Sequence, residues 1–151
     1  MSGLSAHQHV VLELVGGING GCGPAKLDFL RVLPDGNVEA GGPWRVPAGQ
    51  ALVVTDVDWQ YVHPQGAAFA GRIEVLRLTV ENLANAALTR REFESTITLS
   101  SHGEGGTSVA MTSGFVVSSK ARICPDVSPG PTGPPSGLQH LILQGYLIAD
   151  N

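Results

Sequence analysis

Along most of this chain, apolar residues recur at every second position, in short runs broken by Gly or Pro. That period puts successive side chains on opposite faces of an extended strand, whereas an amphipathic helix would repeat every three to four residues. The runs fall at 8–15, 25–33, 50–62, 71–80, 93–99, 107–118, 120–124 and 138–149. Pro34-Asp35-Gly36-Asn37 is a strong hairpin-turn signal, and Ser101-His102-Gly103-Glu104-Gly105-Gly106 is a second turn. In 50–62, Val53, Thr55, Val57, Trp59 and Tyr61 share one side, with Leu52, Val54, Asp56 and Asp58 on the other. In 71–80 the apolar phase changes from Ile73 and Val75 to Leu76, Leu78 and Val80, which predicts a β-bulge near Val75-Leu76. Residues 82–94 read as either helix or strand: Arg90 and Glu94 stand at i, i+4, but Thr89 and Phe93 fit alternation.

About eight strands separated by frequent turns predict an all-β chain, an antiparallel β-sandwich of jelly-roll type. The Pro-rich stretch 125–137 is expected to be an ordered crossover loop, because only one strand's worth of sequence follows it. That last strand, Leu141-Ile142-Leu143-Gln144-Gly145-Tyr146-Leu147, is too apolar for an exposed edge and belongs in the middle of a sheet or under a partner subunit. At 151 residues, positions 1–151 are expected to form one domain.

Charge is scarce: 15% of residues are Asp, Glu, Lys or Arg, where about 25% is usual. Interfaces between permanently associated copies are depleted in charge, so a homo-oligomer is expected, a trimer being one form. The net charge of -4 and the lack of a basic stripe exclude nucleic acid as the expected partner. No apolar run is long enough for a membrane-spanning helix, so membrane insertion is not expected either. Cys22 and Cys124, each flanked by turn formers, are candidates for one disulfide that would stabilise by roughly 2–4 kcal/mol in an oxidising compartment, or else two unrelated thiols. The N-terminal residues show no signal-peptide pattern, and an extracellular or surface location is slightly favoured.

Two short strings bear on metal chemistry. His7-Gln8-His9, followed by Glu13, places two imidazoles and a carboxylate along one strand, and His140 opens the last one. Together they resemble the two metal-binding motifs of the cupin family, metal-dependent jelly rolls with three His and one Glu as ligands. The resemblance implies His7, His9, Glu13 and His140 as ligands to an ion such as Zn, Fe or Mn. The alternative is a pair of solvated histidines on a terminal strand. Without the resemblance, no cofactor is expected.

Asp56 and Asp58 share a strand face ahead of His63, a pair that reads as a solvated face more readily than as a calcium or acid/base site. Trp44, Trp59, Tyr61 and Phe69 lie close in sequence. Exposed aromatic rings stack on sugars, so Trp44, Trp59, Tyr61 and His63, with Gln60 and Gln65, could line a glycan groove; filling of the core is the competing use. Nucleophile elbows, Cys-His pairs and phosphate-cradling loops are missing, so catalysis is not the leading expectation.

Val46-Pro47-Ala48-Gly49 ahead of an apolar strand, with the closing Gly145-Tyr146-Leu147, resembles small bacterial β-sandwich proteins with no assigned activity. The expected function is a non-catalytic module that self-associates and presents loops to an extracellular ligand, a glycan foremost. The alternatives are a structural subunit of a shell, fibre or virion-type assembly, and a cupin-like metal enzyme.

Overall fold

The computed structural model describes residues 5–14, 29–128 and 137–151. Alternation becomes eight strands: β1 (His9–Leu14), β2 (Phe29–Val32), β3 (Gln50–Val62), β4 (Ile73–Asn82), β5 (Thr89–Thr98), β6 (Glu104–Ser118), β7 (Ala121–Ser128) and β8 (Leu138–Ala149). A single 3-10 turn, Gly66–Phe69, is the only helical element among the described residues. The strands form a five-stranded sheet in the order β2-β1-β8-β3-β6 and a three-stranded sheet in the order β5-β4-β7. Every pairing is antiparallel. The run β1-β8-β3-β6 facing β7-β4-β5 is jelly-roll order; only β2 departs from it, pairing with β1 on the larger sheet. The all-β antiparallel sandwich expected from alternation is present, and the apolar β8 lies between β1 and β3.

The core fills the space between the sheets with Val10, Leu12, Leu52, Val54, Val57, Trp59, Tyr61, Leu76, Leu78, Leu141 and Leu143, among others. Side chains of β3 change sides partway along it. Val54 pairs with Gly145 and Asp56 with Gln144, so Thr55 is an extra residue that bulges out of the ladder. The inward set is therefore Leu52 and Val54, then Val57, Trp59 and Tyr61, which corrects the single-face reading of Val53 through Tyr61. Opposite the bulge, β6 diverges over 111–114, where Gly114 adopts φ +71° and crowds against the Val54 carbonyl. A Cβ there would collide with backbone in a left-handed conformation, so glycine is required.

The bulge expected near Val75-Leu76 is not there. From Val75 to Asn82, β4 pairs with β7 without a break. The irregularity lies on β5, where Leu78 faces Phe93 and Thr79 faces Arg91, leaving Glu92 as the extra residue. The apolar phase shift in the sequence arises because Ile73 points outward, 52% exposed, while Glu74 takes the inward position at 1%. Helix formation over 82–94 also gives way. The Asn82 side chain accepts from the N–H groups of Ala84 and Asn85, and Asn85 accepts from Ala87, a turn chemistry that competes with helix. Strand β7 runs through Pro125 to Ser128, beyond the expected loop boundary. Proline is tolerated because, among the described residues, β7 is an edge strand that pairs with β4 alone.

Candidate functional site

Within the segment between β2 and β3, the loop 39–44 turns at two successive glycines, Gly41 and Gly42, with φ of +111° and +81°. Its ends are tied back by main-chain bonds, Glu39 N–H to the Arg31 carbonyl and Trp44 N–H to the Phe29 carbonyl, each 2.9 Å. Trp44 is half-buried and packs against the core. It lines a small apolar cleft of about 20 Å³ beside Leu12, Phe29, Leu52, Ala121 and Ile123. It also lines a surface pocket of about 260 Å³ whose other walls include Glu39, Arg45 and Pro47. The indole thus stands between the core and the surface pocket and lines both. Arg45 donates to the Trp44 carbonyl at 3.0 Å. Glu39 Oε2 is buried with no hydrogen-bond partner among the described residues.

The other aromatic candidates do not join Trp44. Trp59 and Tyr61 are 0% exposed, inside the sandwich, and His63 is 2% exposed at its end. They are core residues without an open face for stacking, which corrects the expectation of a four-residue groove. Trp59 donates to Ser95, and His63 stacks on Phe69 with ring centroids 3.6 Å apart. Burial disfavours the imidazolium of His63 and lowers its pKa from the usual 6.5.

The cupin-like ligand set is not assembled. His9 faces Tyr146 across the β1–β8 ladder and Glu13 faces Ile142. His140 lies six positions from Tyr146, about 20 Å along the strand. No group of three His, Cys, Asp or Glu among the described residues could hold a metal ion. His140 instead meets Asp58, Nε2 to Oδ1 at 2.9 Å. Asp56 and Asp58 do share the outer face of the larger sheet, as the sequence implied. They line a depression of about 190 Å³ with Ser108, Ala110, Ile142 and Gln144. Below the Thr55 bulge the same outer face turns apolar, carrying Val53, Val116 and Tyr146 in one register line. Val116 is 55% exposed and Ile148 40%.

Cys124 is disulfide-bonded; Cys22, its candidate partner, lies outside the described residues. On the outer face of the smaller sheet, Arg122 donates to Glu81 at 2.7 Å, both under a tenth exposed, and Cys124 Sγ is 3.7 Å from the other carboxylate oxygen.

Glu74 is a further buried polar residue, outside the candidates the sequence offers. Its carboxyl is inside the core, Oε2 has no partner among the described residues, and burial pushes its pKa up to about 7. The signal was available, since Glu74 is in phase with Leu76 and Leu78. Glu39 had no such signal, because its burial depends on how a loop folds back. Compared with protein-family models, curated proteins and solved structures, the chain matches none.

Proposed function

We propose that this protein is a self-associating jelly-roll module, without catalytic chemistry of its own, that holds a glycan in the loop between β2 and β3. One observation carries the reading: Trp44, Glu39 and Arg45 converge on a single surface pocket of about 260 Å³. An aromatic ring offers a face to sugar C–H groups, while a carboxylate and a guanidinium orient hydroxyls through charge-assisted hydrogen bonds. The disulfide at Cys124 favours an oxidising, extracellular setting for such a ligand. Self-association is supported by the apolar lower half of the outer sheet face, where Val116 and Ile148 stand open to solvent.

A glycan array tests the ligand. Binding by the native protein, lost in both Trp44→Ala and Glu39→Gln, is the expected result. Glu39→Gln should keep its melting temperature, whereas Trp44→Ala should lower it, because the indole also packs on the core. Array binding that survives both substitutions would remove the pocket from consideration.

The apolar half-face favours a second reading, a structural assembly subunit with no small ligand. Light scattering that shows ordered oligomers, a trimer or larger, together with a blank glycan array would support it.

A further inference from the structure

At the end of the sandwich where β4 stops and β5 starts, the hairpin between them carries Leu83-Ala84-Asn85-Ala86-Ala87-Leu88 at its tip. All six residues are exposed, Leu83 by 47% and Leu88 by 60%, so the tip projects from the body of the protein. Two of the six exposed large hydrophobics among the described residues thus stand on one turn, with three alanines between them. No charged residue lies between Glu81 and Arg90. Turns that face water draw chiefly on Gly, Pro, Asn, Asp and Ser, and this tip keeps only Asn85 from that set.

The main chain of the tip is closed on itself. The N–H groups of Ala84 and Asn85 donate to the Asn82 side chain at 2.9 and 3.0 Å, and that of Ala87 donates to the Asn85 side chain at 3.1 Å. Leu88 N–H donates to the Asn85 carbonyl at 3.0 Å, and Leu83 N–H to the Lys120 carbonyl on the β6–β7 turn at 2.9 Å. Five of the six tip N–H groups therefore have acceptors within the protein. Water would satisfy such groups on an ordinary surface loop, whereas in hydrocarbon each one left open is costly.

Cations stand directly behind the tip. The side chains of Arg90 and Arg91 are 83% and 59% exposed, and Lys120 on the adjoining turn is exposed as well. The acids of β4 and β5 nearest to them lie further back or are buried. Glu92 and Glu94 pair with Arg90 at 3.3 Å and Arg91 at 3.4 Å, and Glu81 is buried against Arg122. Ion pairs between exposed side chains are weak, so these arginines can exchange partners. Lys120 has no ion pair among the described residues.

We propose that the 83–88 tip docks this protein on an anionic lipid surface, with Leu83 and Leu88 entering the acyl boundary and Arg90, Arg91 and Lys120 meeting the headgroup phosphates. Apolar side chains backed by basic ones is the division of labour of interfacial segments, and acidic lipids attract each Lys or Arg held near the surface. The tip rests in the interface and does not cross the bilayer. A protein partner fits it less well, because six residues are far fewer than the roughly 20–30 a side that a stable protein interface takes. The docking tip and the Trp44 pocket sit on different loops, so either can fail without the other.

Co-sedimentation with vesicles of phosphatidylcholine, alone or mixed with phosphatidylserine, tests the proposal. The native protein should sediment with the mixed vesicles at low salt and less as salt is raised. Leu83→Ser combined with Leu88→Ser should weaken that binding at least about tenfold. Arg90→Gln combined with Lys120→Gln should weaken binding to the mixed vesicles about tenfold and leave binding to phosphatidylcholine alone unchanged. Both double variants should keep the native melting temperature, because every replaced side chain is exposed. No sedimentation with mixed vesicles, or sedimentation undiminished in the leucine double variant, would overturn the proposal. So would an oligomer in vesicle-free buffer that dissociates in the leucine double variant, since the tip would then belong to a second copy of this chain.

Discussion

Trp59 on β3 of the larger sheet donates its indole N–H across the core to the Ser95 hydroxyl on β5 of the smaller one, at 3.0 Å. Trp59 is 0% exposed and Ser95 8%, so no solvent competes for the bond. It is a polar fastening between two layers that otherwise meet through apolar contact. Ser95→Ala leaves the indole N–H buried without its acceptor, and the expected cost is about 1–3 kcal/mol. Urea unfolding measures it directly. A loss below about 0.5 kcal/mol would mean that the indole finds another acceptor.

The second polar pair lies outside the core. Arg122 and Glu81 face each other on β7 and β4, both under a tenth exposed. Removing the carboxylate from a buried guanidinium is more damaging than removing both partners. Glu81→Ala should therefore destabilise by about 3 kcal/mol, and the double variant Glu81→Leu with Arg122→Met should recover most of that loss. A double variant no more stable than the single one would contradict this account.

Two buried groups give stability opposite dependences on pH. Burial lowers the pKa of His63 below 6.5, so its contribution is full above that value and is lost as pH falls through the lowered one. Glu74 acts with the opposite sign: its pKa is raised from 4.5 to about 7, so its contribution is full below 4.5 and fades as pH rises to neutrality. Because the two contributions offset each other where their titration ranges overlap, thermal melts between pH 4 and 9 separate them only when the variants are compared with the native protein. His63→Phe should leave a fall in stability as pH rises from 4.5 toward neutrality, and Glu74→Gln should leave a rise in stability up to about pH 6.5. A monotonic rise with pH in His63→Phe would exclude the role given to Glu74.

How legible the molecule was in its sequence varied with the range of the interactions involved. Strand β3 was read with its observed bounds, and β8 was recognised as internal, because alternation and apolarity are local properties of a run. The bulge was assigned to β4 when it belongs to β3 and β5. A bulge is a mismatch between neighbouring strands, and one strand's pattern cannot say which of two paired strands carries the extra residue. Residues 82–94 resolved as turn and strand because Asn82 and Asn85 captured main-chain N–H groups that a helix would have used. Among the candidate residues, Trp44 is half-buried beside a surface pocket, while Trp59, Tyr61 and His63 are buried. Aromatic clustering in sequence is blind to which sheet face a ring will occupy.

Alternation, turn residues and scarce charge by themselves determined that this chain would layer two antiparallel sheets, since each strand has one oily side that only another sheet can cover. The tertiary structure alone decided where polar groups ended up. His140 met Asp58 and not His9 of β1, and a carboxyl and a phenol came to lie buried without partners among the described residues. Those outcomes depend on strand order and register, which bring together residues far apart along the chain and are set by the sum of all contacts between the sheets.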